Sequence, residues 1–398
     1  MFMWKRQEIQ KMLWSGMIKL FDENGDFTEA IDPLLRMARA VDFIQEGKLV
    51  AFPTETVYGL GADAFNSEAV AKVYSAKGRP SDNPLILHIA EKEKFAELAF
   101  NPPEYAFKLI DAFWAGPLTL VARKNPDLPS WLGGHPNGIT ETVGIRMPSH
   151  PVAQAFIKAS GCVVAAPSAN KAGKPSPTTI EHVISDFPEL LNSSGKSIER
   201  LEGLALLNGG SSDVGLESTV VDITEEVPRI LRAGSITAEQ IREVTGLPVE
   251  GGVAKSLVDN STVNGQLEAA NPAPRSPGMK YKHYAPNAPM TIVSGSRDNV
   301  VAFILDECIK AQERNIGVLL HVDTVAAIFN LQDPPPNAFV IPMGHDDESI
   351  AQGLFARLRE CDEENVDVIY IEAVPETGIG VAIMDRMLKA AEGRVVYV

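Results

Sequence analysis

The chain has 398 residues, of which 45% are hydrophobic and 22% charged, and this composition allows two globular domains. Its 52 acidic and 36 basic residues give a formal net charge of −16, which argues against a protein built to grip duplex nucleic acid. No stretch approaches the ~18 apolar residues of a membrane span, no signal-peptide core is present, and the three cysteines form no C-x-x-C pair. We therefore expect a cytosolic protein with no disulfide framework, no zinc site and no membrane association.

The first part of the chain predicts alternating helices and strands with polar loops between them. Apolar spacing predicts a helix over 33–45, and Ser67 is placed to cap a second helix. Thr178 and Glu181 have the spacing of a capping box for a third helix. Short apolar runs predict buried strands over 49–52, 85–89, 118–121, 143–146, 162–165 and 218–223. This mixture favours an α/β domain whose twisted sheet carries loops over one cleft.

The pattern fades over 248–289, where glycine, proline and asparagine interrupt any period, so this stretch is interpreted as a linker. Strands are then predicted over 290–293, 316–320, 338–341 and 366–371, with helical stretches between them. The clearest helix has an apolar face formed by Ile350, Leu354, Leu358 and Cys361. Such alternation predicts a small domain with a parallel sheet. The predicted organisation is an extension over 1–30, a first domain over 31–247, a linker over 248–289 and a C-terminal domain over 290–398.

Two early segments place chemically useful side chains beside predicted strands and helices. The segment 53–61, PTETVYGLG, leaves a buried strand and turns at two glycines, and it packs three hydroxyls around Glu55. The segment 77–84, KGRPSDNP, places Lys77 and Arg79 on either side of a glycine, an arrangement that suits a polyphosphate. A polar turn and a solvated helix end explain the same two segments without any ligand. His88 lies in the following strand, where a lone histidine is more often a structural residue.

Three later segments complete the set. Arg146 ends an apolar strand, and burying it requires an anion, which is either a substrate carboxylate or an internal acid. The loop 165–176 offers Ser168 and Asn170 to phosphate oxygens or to Mg²⁺-bound waters, although a solvated loop would look the same. The segment 215–222, followed by the run LRAG, taken singly is typical of an edge strand with a polar start.

In this order, the five segments resemble the YrdC/YciO-type family of threonylcarbamoyl-adenylate synthases over about Pro33 to Ile241. The run SPGMKYKHYAP at 276–286 looks like the linker of the longer, two-domain branch of that family, and the chain after Pro289 is similar to its C-terminal domain. The resemblance implies a YrdC-like twisted α/β catalytic domain with a large cleft, followed by a smaller Rossmann-like parallel α/β domain.

The resemblance also implies a reaction, in which L-threonine, bicarbonate or CO₂, and ATP with Mg²⁺ give L-threonylcarbamoyl-AMP and diphosphate. A separate threonylcarbamoyl transferase complex would use the product to modify tRNA, so tight tRNA binding by this chain is not expected. Two alternatives were weighed. The net charge argues against an RNA-binding module, and the zinc-finger cysteines of the carbamoyl transferase of hydrogenase maturation are missing here.

Carried over one residue at a time, the resemblance implies two sets of site residues. The threonine-binding set is Thr56, His88, Arg146, the backbone near Ala166, and Ser218. The ATP-binding set is Lys77, Arg79, Asn83, Thr142, Ser168, Asn170, Ser176 and Arg232, with either His283 or Tyr284 reaching over the nucleotide. Lys77 and Arg79 would act in catalysis by stabilising charge, and no metal site made of protein ligands alone is expected.

Overall fold

The computed structural model describes residues 33–188, 204–252, 283–331 and 333–398. The chain divides into two compact units. The first unit holds the described residues 33–172, 177–188, 204–213 and 217–252, and the second holds 173–176, 214–216 and 283–398. The described residues include no helix that is both long enough and apolar enough to span a membrane.

Three helices of the first unit, α1, α2 and α6, lie where helices were predicted, and the other four were not predicted. In chain order they are α1 Pro33–Gln45, α2 Ser67–Lys77, α3 Lys94–Leu98, α4 Glu104–Phe113, α5 Pro151–Ser160, α6 Ile180–Asp186 and α7 Ala238–Thr245. Two capping predictions are wrong. Asn66, not Ser67, caps α2, because its side chain accepts a hydrogen bond from the Ala69 amide. Thr178 is not the cap of α6, because Thr179 occupies that position, and its side chain forms no capping hydrogen bond.

A mixed ten-stranded sheet forms the centre of the described part of the first unit. Its strands are β1 Leu49–Phe52, β2 Gly59–Asp63, β3 Ile86–His88, β4 Leu118–Arg123, β5 Thr142–Arg146, β6 Val164–Ala166, β7 Leu204–Leu206, β8 Thr219–Asp222, β9 Arg229–Arg232 and β10 Glu250–Gly251. The order across the sheet is β10-β9-β8-β4-β5-β3-β6-β2-β1-β7. This is the twisted α/β sheet that the sequence predicts.

The strand β2 was predicted to be part of a loop. It is buried and pairs antiparallel with β1. The glycines of β2 interrupt the hydrophobic pattern by which a strand is predicted from sequence. They are nevertheless needed for packing. A Cβ on Gly61 would lie 2.7 Å from Cγ1 of Val164 and 2.9 Å from Cε1 of Phe52. The short strand β10 likewise lies inside the stretch that was interpreted as a linker.

The two faces of the sheet are covered differently. One face belongs to the large hydrophobic core, to which Leu87, Leu120 and Ile145 contribute from neighbouring strands. On the other face, a second cluster covers the strands β1, β2, β6 and β7; its members include Phe52 of β1 and Phe156 of α5. The neighbouring strands β3, β5, β4 and β8 expose this second face to a cleft.

The second unit contains a five-stranded sheet in which every strand pair is parallel. Its strands are β11 Met290–Ser294, β12 Ile316–Leu320, β13 Ala338–Pro342, β14 Val368–Glu372 and β15 Val395–Tyr397, in the order β13-β12-β14-β11-β15. Its helices are α8 Arg297–Lys310, α9 Val322–Leu331, α10 Asp347–Glu363 and α11 Gly380–Ala390. The predicted Rossmann-like parallel arrangement is confirmed, as is the buried face of α10, formed by Ile350, Leu354, Leu358 and Cys361.

Candidate active site

The second face of the first sheet carries a row of side chains contributed by five adjacent strands. Strand register places these residues side by side, in the order Val220, Thr119, Arg146, His88 and Val164. They point away from the large core because the intervening residues on the same strands point into it. We call Thr119, Arg146 and His88 the polar row. Residues 27 to 58 positions apart along the chain thus become neighbours on one surface.

A cleft of about 540 Å³ opens over this face of the sheet. The strands contribute Thr119, Thr142 and Gly144 to its lining, and the loop 134–141 supplies much of the rest. Gly144 is paired in register with Ile86 on one side and Val121 on the other, so a position without a side chain keeps the floor of the cleft open. The polar row starts in the cleft at Thr119 and continues into a buried region.

Arg146 is held in that buried region by three neighbours. Its Nε donates to the carbonyl of Gly116 over 3.3 Å, and its Nη1 donates to Oγ1 of Thr56 over 2.9 Å. Its Nη2 lies 2.8 Å from Oε1 of Glu55, and both charged side chains are buried. The sequence left open whether a substrate carboxylate or an internal acid meets this arginine, and the structure shows an internal acid beside it.

The Glu55–Arg146 pair is close but poorly aligned. Neither carboxylate oxygen of Glu55 forms a well-aligned hydrogen bond among the described residues, nor does Nη2, and all three atoms are closed off from solvent. Burial raises the pKa of Glu55, but the charge of Arg146, together with weak hydrogen-bonding contacts from Arg146 and from the backbone of Glu55 and Ser149, outweighs this effect and holds that pKa below its usual range. Glu55 is therefore ionised at neutral pH, and the pair is a buried ion pair without good hydrogen bonds.

The loop after β1 fixes the hydroxyl that contacts Arg146. Oγ1 of Thr54 lies 2.9 Å from Oγ1 of Thr56 and donates to the carbonyl of Val57 over 2.6 Å. Because Thr54 donates to a carbonyl, Thr56 donates to Thr54 and accepts from Arg146. The loop carbonyl of Thr54 in turn accepts from Ser212 over 3.0 Å. These hydrogen bonds leave the polar turn little freedom and orient Thr56 towards the arginine.

His88 lies next to Arg146 on the polar row and is 4% exposed. Its Nδ1 is 3.1 Å from the carbonyl of Ile86, and its ring meets the ring of Phe52 edge-on at 5.7 Å. Burial, and then the nearby charge of Arg146, lower the pKa of His88 to about 3. The imidazole is therefore neutral at physiological pH, with one nitrogen able to donate and the other able to accept.

We expect the free energy of unfolding to fall as the pH is lowered below 6.5, the usual pKa of histidine, towards 3. In this range unfolded His88 binds a proton that folded His88 does not, so the unfolded state is favoured. Glu55 acts in the same direction, since its folded pKa is lower than its unfolded one. Urea unfolding of wild type and His88→Gln at a series of acidic pH values tests this. The variant should show a weaker pH dependence, and equal slopes would contradict the expectation.

Ser218, just before β8, links the polar row to Arg232. Its Oγ lies 2.7 Å from Oγ1 of Thr119. Nη2 of Arg232 donates to the Ser218 carbonyl over 3.0 Å and to its Oγ over 3.2 Å. The chain after Arg232 then passes very close to β8, because a Cβ on Gly234 would lie 2.3 Å from the amide nitrogen of Thr219. Any side chain at position 234 would therefore collide with the backbone at the start of β8.

We expect Gly234→Ala to lower the free energy of unfolding by about 1–3 kcal/mol, because the new methyl group would collide with backbone rather than with a movable side chain. Urea denaturation measures the change. Gly353→Ala, in α10, is the matched control, since its nearest neighbour to a new Cβ is 3.5 Å away and helices favour alanine. Equal stability of the two variants would contradict this expectation, because it would mean that the backbone beside β8 can shift to accommodate the methyl group.

Lys77, at the end of α2, reaches the loop that follows β6. Its Nζ donates to the carbonyl of Ser168 over 2.5 Å and to the carbonyl of Asn170. Oγ of Ser168 donates to Oδ1 of Asn170 over 2.5 Å. Lys77 is 3% exposed, so the interpretation of this position as a solvated helix end is wrong. The structure brings Lys77, Ser168 and Asn170 together in one cluster.

Arg79 binds residues at the far end of the loop that follows α2. Its Nη2 donates to Oδ1 of Asn83 over 2.8 Å and to the carbonyl of Pro84 over 2.7 Å. The hydroxyl of Tyr74 donates to the Asn83 carbonyl over 3.1 Å. Gly78, between the two cations, ends α2 with φ of +64°, a conformation that favours glycine. Because Ser81, Asp82 and Pro84 line the cleft, this loop forms part of its edge.

The structure thus groups most of the predicted residues in the first unit. Thr56 and His88 both lie beside Arg146, and Ser218 is linked to this group through Thr119. Ala166 lies on β6, which pairs with β3. The other predicted residues, Ser176, His283 and Tyr284, belong to the second unit, where Tyr284 has φ of +65° and stacks on Phe355 at 5.2 Å between ring centroids.

Sequence reasoning missed two residues of the site. Glu55 was noted in its segment but given no role, although it lies between two threonines whose hydroxyls are both engaged. Thr119 sits in a predicted strand, and alternation with the core residues Leu118 and Leu120 was the available signal. Its place beside Arg146 depends on strand order, which no local pattern encodes.

Comparison with known proteins gives consistent matches over nearly the whole chain. A family model described as Telomere recombination matches residues 42–234, and one described as Threonylcarbamoyl-AMP synthase, C-terminal domain, matches residues 236–392. The threonylcarbamoyl-AMP synthase of Bacillus subtilis is 43% identical over 363 residues, which are 91% of this chain and 94% of that protein. The crystal structure of Pyrococcus abyssi Sua5 complexed with L-threonine is 40% identical, with a TM-score of 0.74, and the match covers 91% of this chain and 96% of that one.

The fold, the cleft and these similarities define a two-domain α/β enzyme. The threonylcarbamoyl-AMP synthase of Pyrococcus abyssi, for example, is 42% identical over 90% of this chain and 95% of its own length. The chain belongs to the threonylcarbamoyl-AMP synthase family, in the branch that carries the additional C-terminal domain. The family resemblance and the fold class expected from the sequence are thereby confirmed.

Proposed function

We propose that this chain converts L-threonine, bicarbonate or CO₂, and ATP into L-threonylcarbamoyl-AMP and diphosphate, and that it is a nucleotidyltransferase. One observation carries the proposal: a buried arginine, flanked by a neutral histidine and by hydroxyls, lies on the sheet face that opens into the cleft. An α-amino acid with a hydroxyl side chain matches such a set of groups. The similarity to a protein whose solved structure contains L-threonine supports threonine as that amino acid.

In the proposed complex, Arg146 binds the carboxylate of threonine. Charge-assisted hydrogen bonds of this kind contribute about 1.5–3 kcal/mol each. Neutral His88, Thr56 and Ser218 offer donors and acceptors to the hydroxyl without adding charge. The backbone of Ala166, on the strand next to His88, completes the pocket. A polar pocket of this type rejects an analogue that lacks the hydroxyl, because its own groups would then lose a partner.

ATP binds, in this proposal, along Lys77, Arg79 and Arg232, with Asn83, Thr142, Ser168 and Asn170 contributing polar contacts. Ser176 and one of His283 and Tyr284 stay predicted nucleotide contacts from the second unit. The carbamate oxygen of threonine attacks the α-phosphorus in line, and diphosphate leaves. Such a reaction needs positioning and charge stabilisation more than covalent help, so the cations carry most of the catalysis.

Mg²⁺ enters with ATP as part of the substrate. Among the described residues no group of three or more acidic, histidine or cysteine side chains could hold a metal ion. Oxygen atoms are nevertheless present next to Lys77, since Oγ of Ser168 and Oδ1 of Asn170 lie 2.5 Å apart. Mg²⁺ is commonly bound through substrate phosphates, water and few protein oxygens, so these donors suit a triphosphate-bound ion.

The direct test is diphosphate release from ATP, with threonine and bicarbonate omitted in turn. We expect release only when both are present, together with a product whose mass equals that of threonylcarbamoyl-AMP. Release that is indifferent to threonine would refute the proposal. Filter binding of tRNA with and without ATP separates it from an RNA-binding role, and we expect weak retention under both conditions because a different enzyme complex would use the product.

A further inference from the structure

Glu55 is a buried charge that the proposed binding of threonine and ATP leaves without a role. It is 5% exposed and lies in the loop after β1, next to the proposed threonine contact Thr56. Its carboxylate approaches Nη2 of Arg146 to 2.8 Å. Yet neither of its oxygens forms a well-aligned hydrogen bond among the described residues, and neither does Nη2. A purely structural ion pair would be expected to satisfy these atoms.

Burying such a pair is costly. Removing two charges from water is compensated only when the geometry is good and further hydrogen bonds satisfy the remaining atoms. Arg146 has such bonds to Thr56 and Gly116, through Nη1 and Nε. The three atoms that face one another across the pair, Nη2 of Arg146 and the two carboxylate oxygens of Glu55, do not form such bonds. The unsatisfied capacity of the site is therefore one cationic donor and two anionic acceptors, side by side.

An α-amino acid supplies the complement of these atoms. Its carboxylate and its ammonium group are attached to the same carbon, so both reach groups that lie side by side. A simple carboxylic acid could satisfy the donor of Arg146 but would leave Glu55 unpaired in a buried place. Apart from the cation Arg146, the side chains described here beside Glu55 add no charge, because Thr56 is neutral and His88 is neutral at physiological pH. One positive and one negative protein group therefore face the ligand, as an α-amino acid requires.

We infer that Glu55 is a second substrate-binding residue, which receives the α-ammonium group of the amino acid whose carboxylate binds Arg146. This inference rests on the proposed function and deepens it. Because the three facing atoms are closed off from solvent, the ion pair has to part as the ligand enters. Glu55 thereby selects an α-amino acid over the matching hydroxy acid.

Glu55 positions the nitrogen and does not remove its proton. The carbamate forms from the neutral amine, and a carboxylate whose pKa lies below its usual range is a weak base. The proton of the ammonium group passes to bicarbonate or water instead. The Glu55 carboxylate thus contributes to the binding of threonine. It also orients the threonine nitrogen towards the carbon of bicarbonate or CO₂ with which that nitrogen reacts.

The test compares two ligands by calorimetry on the full chain in bicarbonate-free buffer. One is L-threonine, and the other is (R)-3-hydroxybutyrate, which is threonine without its amine. Wild type should prefer threonine. Glu55→Gln should weaken threonine binding by about 10- to 100-fold, the range of one charge-assisted hydrogen bond, while the hydroxy acid binds equally well or more tightly. Glu46→Gln, which removes an exposed carboxylate paired with Lys48, should change neither.

Four outcomes would overturn the inference. Equal weakening of both ligands in Glu55→Gln would mean that Glu55 only supports Arg146, and tighter binding of both would mean that it merely competes with them. Wild type that binds neither ligand would overturn the proposed function as well. If Glu55→Gln does not fold, Glu55→Asp serves as the second variant. It keeps the negative charge but moves the carboxylate back by one methylene group. The preference for threonine should then fall by at least about fivefold, and an unchanged preference would overturn the inference.

Discussion

Lys77→Ala is expected to lower the turnover number by about 10²- to 10³-fold, the usual effect of removing one preorganised electrostatic donor from a reacting centre. Lys77 is buried, and its ammonium group lies among the oxygens of Ser168 and Asn170. In the proposed reaction it faces the negative charge that grows on the departing diphosphate. Steady-state diphosphate release at saturating threonine, ATP and bicarbonate measures the effect.

The matched control for this variant is Lys72→Ala on the same helix. Nζ of Lys72 donates to the carbonyl of Gly47 over 2.8 Å, so this substitution also removes a lysine that binds backbone. We expect a small loss of stability and near-normal turnover. Because Lys77 also holds the loop 168–170 in place, thermal unfolding should be recorded for both variants. Near-normal turnover of a folded Lys77→Ala protein would refute the proposed role.

Arg146→Ala is expected to raise the KM for threonine by about 10- to 100-fold and the KM for ATP by much less, since it removes the proposed partner of the substrate carboxylate. The substitution also leaves Glu55 buried and unpaired, which destabilises the protein by about 3–5 kcal/mol. The ratio of the two KM values is therefore the useful measurement, because a smaller folded fraction lowers the apparent turnover and leaves KM unchanged.

Arg123→Ala serves as the control for this arginine. Arg123 lies on β4, the strand beside Arg146, but it is exposed, and its Nη2 donates to the carbonyl of Thr224 over 3.2 Å. Neither KM should change in this variant. Parallel losses for threonine and ATP in Arg146→Ala would argue that the arginine maintains the sheet and does not recognise the amino acid.

Much of the fold could be predicted from local patterns. Apolar runs located β1, β4, β5 and the parallel strands of the second unit because their side chains are buried on both faces or alternate regularly. β2 was missed for a physical reason: Phe52 and Val164 leave room only for glycine at position 61, and glycine gives no hydrophobic signal. The cap of α2 was displaced by one residue because Asn66 and Ser67 have equally good capping side chains.

The site was less predictable than the fold. Segment chemistry suggested anion binding near Lys77 and Arg146, yet each segment alone was also consistent with an ordinary structural role. The assignment of individual positions to threonine or ATP came from the family resemblance and stays a prediction. The pairing of Glu55 with Arg146 depends on how β5 lies against the loop after β1, and a linear pattern contains no such information.

The polar row also has consequences for biosynthesis. Thr119 and Ser218 are joined by a hydrogen bond across 99 positions of the chain, and β4 pairs with β8 at that place. A nascent polypeptide therefore reaches the ribosomal exit with β4 as an unpaired edge until β8 emerges, and non-local pairing of this kind is slow. During that interval the unpaired edge of β4 is open to pairing with other chains, so truncated translation products ending before residue 218 should be prone to aggregation.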